Sequence, residues 1–370
     1  TSAPILGRNT VDVLLNGEEI FPAMVDAIRG ARKTITYAQY YFEDGPVARE
    51  LVEALAERCR AGVGASILLD GFGALSMPPE YIETLKKSGC HVEIFRPLSP
   101  IEWNRANYRN HRRVLVVDGR VGFTGGSGVS RKWMGNGRVE GHWRETDARV
   151  RGPVVEYLQG AFAENWLETT GIVLGGEPYF PRPVTPAGEA YAQFVRSSPA
   201  GGGFAMYTMF LLAISSARRT IFITNPYFVP DGAMENALMG AVARGVRVAV
   251  LVPGAIDHNI VRQASRGKFG KMLRAGVEIY EYRAALLHAK TMVVDGVWAT
   301  VGSTNLDNRS FALNDELNLV VYDAAVARRL ERVFADDLEY SAKVDYRTWR
   351  RRGLIDRLLE LLATPIRPLL

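Results

Sequence analysis

His111 and His288 are the residues in this 370-residue chain best placed to do chemistry, since each opens an apolar run and is followed two positions later by a cation. The two stretches read "HRRVLVVDG", from His111 to Gly119, and "HAKTMVVDG", from His288 to Gly296. In a strand, residues two apart face the same way, so His111 projects with Arg113 and His288 with Lys290. Two imidazoles suit a nucleophile working with an acid. One can attack phosphorus and form a covalent intermediate, which splits a hard displacement into two easier ones. The other protonates the leaving alcohol and then, as a base, activates the incoming one. An unperturbed pKa of ~6.5 keeps both forms accessible near neutrality. Arg113 and Lys290 would neutralise phosphoryl oxygens as charge builds on them.

A strand that starts with polar residues at a solvent edge would explain one such copy. Two copies at equivalent places, each followed by a Gly-rich turn, point to function instead. Each run ends in Asp-Gly, a hairpin signal, which places Asp118 and Asp295 at turns seven residues beyond their histidines. They are expected to orient or brace rather than to react. No carboxylate cluster or Cys/His set suggests a metal, so the expected cofactor list is empty and cations of the protein take that part.

The motifs belong to a longer repetition. "AIRGARKTITYAQYYFEDG" from Ala27 matches "AISSARRTIFITNPYFVPDG" from Ala213, and "RAGVGASILLDG" from Arg60 matches "ARGVRVAVLVPG" from Ala243. "LKKSGCHVEIF" from Leu85 then matches "MLRAGVEIYEY" from Met272. Matches in the same order make a duplication. Phe21, Met24, Val25 and Ile28 carry helical spacing ahead of a strand near Thr34 to Tyr40, and Val47, Leu51, Val52 and Leu55 do the same ahead of "ASILLD". This alternation predicts two tandem α/β domains, each a mixed, mostly parallel sheet flanked by helices, with the active site at a pseudo-twofold interface. Gly and Pro cluster from Val173 to Ala190, so the domains are placed at residues 1–175 and 176–370. "VLVV" and "TMVV" are apolar on both faces, as in a central strand covered on both sides.

Composition sets bounds without choosing a substrate. Apolar residues at 47% and charged residues at 23% are those of an ordinary globular chain, which excludes disorder. A net charge of +5 suits an anionic substrate, an anionic membrane surface or nucleic acid alike. Cys59 and Cys90 form no metal or redox spacing; they argue against a disulfide scaffold and favour a reducing compartment. No stretch reaches the ~18 apolar residues needed to span a bilayer, although a chain opening at Thr1 leaves room for an upstream anchor.

The repeated His-x-Lys-x4-Asp pattern, with "GSTN" from Gly302 to Asn305 after the second copy, resembles the phospholipase D superfamily. Within it, "RNHRRVLVVDGRVGFTGG", "HWRETDARVRGPVV", "NPYFVPD" and "VGSTNLDNRSFALNDELNLVVYD" are most similar to bacterial cardiolipin synthases. The resemblance covers nearly the whole chain. It implies His111 as nucleophile and His288 as acid/base, although the residues alone accept the reverse. Glu145 in "WRETD" and Glu316 in "NDELN" are similar to the acidic residues that hold each motif histidine's other ring nitrogen. Such a partner fixes the tautomer and stabilises the imidazolium. Gly125, Gly126, Ser127, Gly302, Ser303 and Asn305 are expected on the phosphate side, where small residues and donors admit an anion. The first copy departs twice, with Arg113 in place of lysine and Gly128 in place of an asparagine.

A nucleic-acid enzyme should show a basic track with interleaved aromatics, and here basic residues are dispersed apart from "RNHRR" and the tail, so no nucleic acid is expected. The tail, Trp349 and Arg350 to Arg352 before Leu354, Ile355, Leu358, Leu359, Leu361 and Leu362, fits either a membrane interface or a helix packed on its own domain. The reading is a metal-independent phosphatidyltransferase making cardiolipin from phosphatidylglycerol, peripheral on the cytoplasmic face of the bacterial inner membrane, with one chain sufficient for one site. The alternatives are a hydrolytic phosphodiesterase and a weakened lipid-binding scaffold. His91 is expected to be structural, His142 either to reach the site's rim or to be structural too, and His258 with Arg262 and Arg266 to contact a lipid phosphate or solvent.

Overall fold

The computed structural model describes residues 3–98, 107–198, 204–254 and 265–351. His258, Arg262 and the tail from residue 352 lie outside the described residues. The first repeat runs β1 (Leu6–Leu15), α1 (Asn16–Arg29), β2 (Thr34–Gln39), α2 (Pro46–Arg60), β3 (Gly64–Asp70), α3 (Pro79–Lys87), β4 (His91–Phe95), β5 (Val114–Val117), β6 (Val121–Thr124), β7 (Trp143–Arg144), β8 (Thr146–Arg151) and α4 (Val155–Thr170). The second runs β9 (Ala190–Ser197), α5 (Ala205–Ser216), β10 (Thr220–Thr224), α6 (Gly232–Ala243), β11 (Arg247–Pro253), α7 (Phe269–Ala275), β12 (Glu278–Tyr282), β13 (Leu286–Leu287), β14 (Thr291–Val294), β15 (Trp298–Gly302), α8 (Asn308–Ala312), β16 (Glu316–Tyr322), α9 (Ala324–Glu339), β17 (Ser341–Lys343) and α10 (Tyr346–Arg350).

Fifteen of these strands join into one sheet in the order β17-β12-β11-β10-β14-β15-β16-β9-β1-β8-β6-β5-β2-β3-β4, and β13 pairs with β7 in a second, two-stranded one. Apart from β17, the order on one side of the β9–β1 pair mirrors the other, strand for equivalent strand. The duplication expected from the sequence is thus present as a single sheet crossing the seam. Its expected strand direction needs correction. Within this sheet of the described residues only β2–β3, β3–β4, β10–β11 and β11–β12 run parallel, and the other pairings are antiparallel. Helical crossovers make parallel neighbours of three strands in each half. The Asp-Gly hairpins after β5 and β14 then turn the chain straight back, which forces antiparallel pairing.

Burial follows the alternation of side chains. Leu115 and Val117 of β5 pack with α1 and α2 in one core, while Val114 and Val116 pack on the opposite face with Phe162 and Trp166 of α4. That second core also takes Leu330 of α9 and Leu317 of β16, so it is shared by both halves. α9 starts at Asp323, whose carboxylate accepts from the Ala325 and Val326 amides, a favourable cap for otherwise orphaned donors.

Cys59, at the end of α2, and Cys90, just before β4, form a disulfide with Cα atoms 5.5 Å apart. This overturns the expectation of unpaired cysteines. A separation of 31 residues matches no spacing pattern, and only the packing of α2 against the β3–β4 unit brings the two together. The support the cysteines lent to a reducing compartment goes with it.

Candidate active site

Both motif histidines sit at the seam, each clasped by backbone from the other half. The His111 amide donates to the Asp315 carbonyl at 2.9 Å, and the His288 amide donates to the Arg144 carbonyl at 2.8 Å. Arg144 lies on β7, which pairs in parallel with β13, the strand leading into His288. Asp315 and Arg144 each immediately precede a candidate glutamate. The clasp therefore carries each glutamate to the opposite histidine. His111 Nδ1 lies 2.9 Å from Glu316 Oε1, and His288 Nδ1 lies 2.6 Å from Glu145 Oε2. The sequence found both glutamates, and the fold exchanges them.

The rings are nearly buried, 8% exposed for His111 and 5% for His288, and both glutamates are fully buried. Arg113 Nη1 and Lys290 Nζ each donate to the carbonyl of their own histidine at 2.5 Å. Lys290 Nζ also lies 2.8 and 3.0 Å from the two ring nitrogens of His288. The Arg113 guanidinium lies 5.4 Å from the centre of the Tyr40 ring, which meets His111 edge-on at 4.9 Å, and its Nε is buried without a hydrogen-bond partner. The two centres sense each other: burial depresses the His111 pKa most, followed by the charges of Arg113, Lys290 and His288.

The two pairs differ electrostatically. Burial pushes Glu145 up, but Lys290 and then His288 outweigh it and bring the carboxyl down to about 2. His288 is lowered to about 4 by burial and by Lys290, and burial lowers Lys290 itself to about 7. Glu316 is raised to about 8 by burial, which Ser303 and the more distant Arg113 only partly offset. At neutral pH, therefore, ionised Glu145 accepts a hydrogen bond from the protonated Nδ1 of His288, whose Nε2 carries no proton. The His111–Glu316 pair holds one proton more.

Other sequence-predicted residues take different places. Asp118 and Asp295 are at the far ends of β5 and β14, away from the histidines. Asp118 accepts from the amides of Arg32, Lys33 and Thr34, and Asp295 from those of Arg218, Arg219 and Thr220. They brace the entries to β2 and β10. The glycine loops pack closely against polar side chains. A Cβ at Gly125 would strike Asp147, one at Gly126 would fall 2.8 Å from both Glu145 oxygens, and one at Gly302 would fall 2.5 Å from Asn318. These glycines let carboxylate and amide side chains approach the backbone. Ser127 Oγ donates to Asp147 and Ser303 Oγ to Glu316, each at 2.5 Å. Asn305 is buried with its Oδ1 unpartnered. His91 is exposed on edge strand β4, and His142 lies in the loop before Trp143 with its Nδ1 unpartnered.

Sequence reasoning missed Tyr40, Trp133, Trp143 and Asp147. Trp133 and Trp143 flank His288 with ring centroids 5.3 and 5.2 Å away. Gly128 is no simple loss, because its missing side chain makes room for Trp133: a Cβ there would stand 2.9 Å from the indole. Trp133 Nε1 in turn donates to Glu145 at 3.3 Å. Glu145 thus has an indole donor where Glu316 has the Ser303 hydroxyl. Of these residues Trp143 and Asp147 stand in "WRETD" around Glu145 and Tyr40 in the repeated stretch from Ala27, whereas Trp133 lies outside the quoted motifs.

A family model described as "Cardiolipin synthase, PLD-like domain" matches residues 24–166 and again residues 210–338. The cardiolipin synthase of Geobacillus sp. strain WCH70 is 35% identical over 370 residues, 100% of this chain and 74% of that protein. Cardiolipin synthase A of Pseudomonas fluorescens strain SBW25 is 35% identical over 368 residues, 99% and 76% of the two chains. The crystal structure of phosphatidylserine synthase from Haemophilus influenzae Rd KW20 has a TM-score of 0.74 at 12% identity, covering 100% of this chain and 97% of that one. That last likeness concerns the fold alone.

Proposed function

The chain belongs to the phospholipase D-like cardiolipin synthase family, and from that premise we propose that it is a phosphatidyltransferase joining two phosphatidylglycerol molecules into cardiolipin. The observation that carries this reading is the crossed pair of His–Glu contacts, each beside a buried cation, at one seam.

In the proposed cycle, Nε2 of His111 attacks the phosphorus of one phosphatidylglycerol. The bond to the glycerol headgroup breaks, and that oxygen takes a proton from His288 as glycerol leaves. His288, now a base, removes the proton from a hydroxyl of a second phosphatidylglycerol. This oxygen attacks the phosphohistidine, releasing cardiolipin and restoring His111. Glu316 and Glu145 hold the rings in register. Arg113 and Lys290 balance charge on the phosphoryl oxygens. Residues 1–175 and 176–370 are the two repeats that supply these groups.

A second assignment exchanges the histidines. It is favoured by the unprotonated Nε2 of His288 opposite ionised Glu145 and by the extra proton of the His111–Glu316 pair. Rapid quenching with labelled phosphatidylglycerol, followed by peptide mapping of the phosphohistidine, separates the two assignments.

The partner is an anionic phospholipid at a membrane surface. No helix among the described residues is long and apolar enough to cross a membrane. Cytoplasmic placement was tied to reduced cysteines, so with Cys59 and Cys90 bridged the proposal is a peripheral position without a stated side. Purified protein with phosphatidylglycerol vesicles and a chelator should release cardiolipin and glycerol. Phosphatidic acid as the main product would make water the acceptor and replace transfer by hydrolysis.

A further inference from the structure

The loop from Gly71 to Met77 follows β3 at the end of the sheet where the site lies. Asp70 at its start accepts from the amide of Asn110, the residue before His111, at 2.9 Å. A Cβ on Gly73 would meet Tyr40, the ring set edge-on to His111. From this loop Phe72 and Leu75 project into solvent, 53% and 63% exposed. Leu98, beyond the same end of the neighbouring parallel strand β4, is exposed as well. So are Ile172 and Val173, which follow the end of α4 only a few residues after Asn165 reaches Asp315. Large apolar side chains thus gather on the face that holds the histidines, on the His111 side.

The His288 side of this face carries more cations than carboxylates, with Glu140 exposed and Glu43 4.0 Å from Lys132 Nζ. Arg131, Lys132 and Arg138 are exposed there. Lys132 Nζ lies 5.7 Å from the centre of the Trp143 ring, which itself packs on His288. A half-apolar, half-cationic rim around a buried phosphodiester site matches the layering of an anionic bilayer, with headgroup charge outside and hydrocarbon beneath.

We propose that this rim is a membrane-docking surface, in which Phe72 and Leu75 enter the acyl region of an anionic bilayer beside the site while Arg131, Lys132 and Arg138 meet the headgroups. It rests on the proposed lipid substrate and adds the surface by which the site reaches it. A phospholipid drawn only part-way out of the bilayer then presents its phosphate to the seam while its chains stay among the neighbouring lipids.

The experiment compares the wild-type chain, F72S/L75S, and L212S/V297S as a control. Leu212 and Val297 are similarly exposed but line a groove with Asp295, at the far end of β14 from Lys290. Cosedimentation with vesicles of phosphatidylglycerol and phosphatidylcholine should weaken roughly tenfold or more for F72S/L75S. The control should match wild type. On short-chain phosphatidylglycerol dispersed as monomers, F72S/L75S should keep kcat/KM within about twofold. Unchanged vesicle binding by F72S/L75S, or an equal loss in the control, overturns the docking surface. H111A separates this outcome from the chemistry, since it should bind vesicles as wild type does while making no cardiolipin. If wild type binds vesicles through Phe72 and Leu75 yet yields no cardiolipin, the surface stands and the transferase reading falls.

Discussion

Glu316 lies 2.9 Å from Nδ1 of His111 although 205 residues separate them, and the contact crosses from one repeat to the other. Glu145 makes the reciprocal contact with His288 across 143 residues. Neither half therefore contains a complete histidine–carboxylate pair. Glu316→Gln and Glu145→Gln should each lower kcat for cardiolipin formation by ~10²–10⁴, by analogy with loss of the orienting carboxylate in other triads. Circular dichroism should show the fold intact. A variant within twofold of wild type would remove the carboxylates from the mechanism.

The pH profile should be a bell. Lys290 is charged only below about 7, because burial disfavours its ammonium. Its contribution is thus complete at low pH and lost as pH rises through that value. In the exchanged assignment, where His288 attacks, it must shed a proton at about 4, which sets the acid limb, while Glu316 yields its own at about 8. In K290R the guanidinium stays charged, so the alkaline limb of kcat/KM should move up toward the value of Glu316. An unshifted limb would show that Lys290 is not the titrating group.

Trp133 should act through Glu145 rather than on substrate. W133F removes the indole donor to Glu145 but keeps the ring contact with His288. One hydrogen bond of about 1–1.5 kcal/mol translates to a kcat loss of roughly five- to tenfold, with KM little changed. G128A should act through the same ring, so the double variant should lose less than the product of the singles. Independent, multiplying effects would count against the coupling.

Asp147 is a buried carboxyl raised to about 6, first by burial and then by Glu145. Its ionised form costs stability, since the folded chain binds the proton more tightly than the unfolded chain does. The cost is absent below the ordinary carboxylate value, grows between about 4 and 6, and is complete above that. A shift of about two units corresponds to about 3 kcal/mol. The second repeat carries Asn318 at the matching place, so D147N should gain up to that amount in urea unfolding near pH 8. The gain should vanish near pH 4. An equal gain at both pH values would exclude ionisation as its source.

Asp118 and Asp295 should matter to stability and not to turnover. D118A and D295A each leave three backbone amides of a strand entry without their carboxylate, at a cost of about 1–2 kcal/mol in unfolding free energy. Activity per folded molecule should be preserved. A collapse of kcat with unchanged stability would return these residues to the reaction itself.

The duplication, the alternation of helices and strands and all four His/Glu residues were legible in the sequence, since repetition and periodicity are local patterns. Strand direction was not, because Val114–Val117 would read the same in a parallel or an antiparallel neighbourhood. The exchange of Glu145 and Glu316 between repeats depends on how β7 and Asp315 dock across the seam, which no spacing records. Trp133 lies in a glycine-rich stretch without periodicity, so only the packing of its ring above Gly128 reveals what it does. Cys59 and Cys90 were visible as residues, but their pairing required the fold.

The exchanged carboxylates also bear on descent. A free-standing repeat would own an imidazole with nothing to orient it, and would become competent only on meeting a second copy of itself. Fusion of two such subunits into one polypeptide lifts the demand that both remain identical. Tyr40 against Pro226, Arg113 against Lys290 and Gly128 against Asn305 are the marks of that freedom, with each ancestral subunit diverging while still completing its twin.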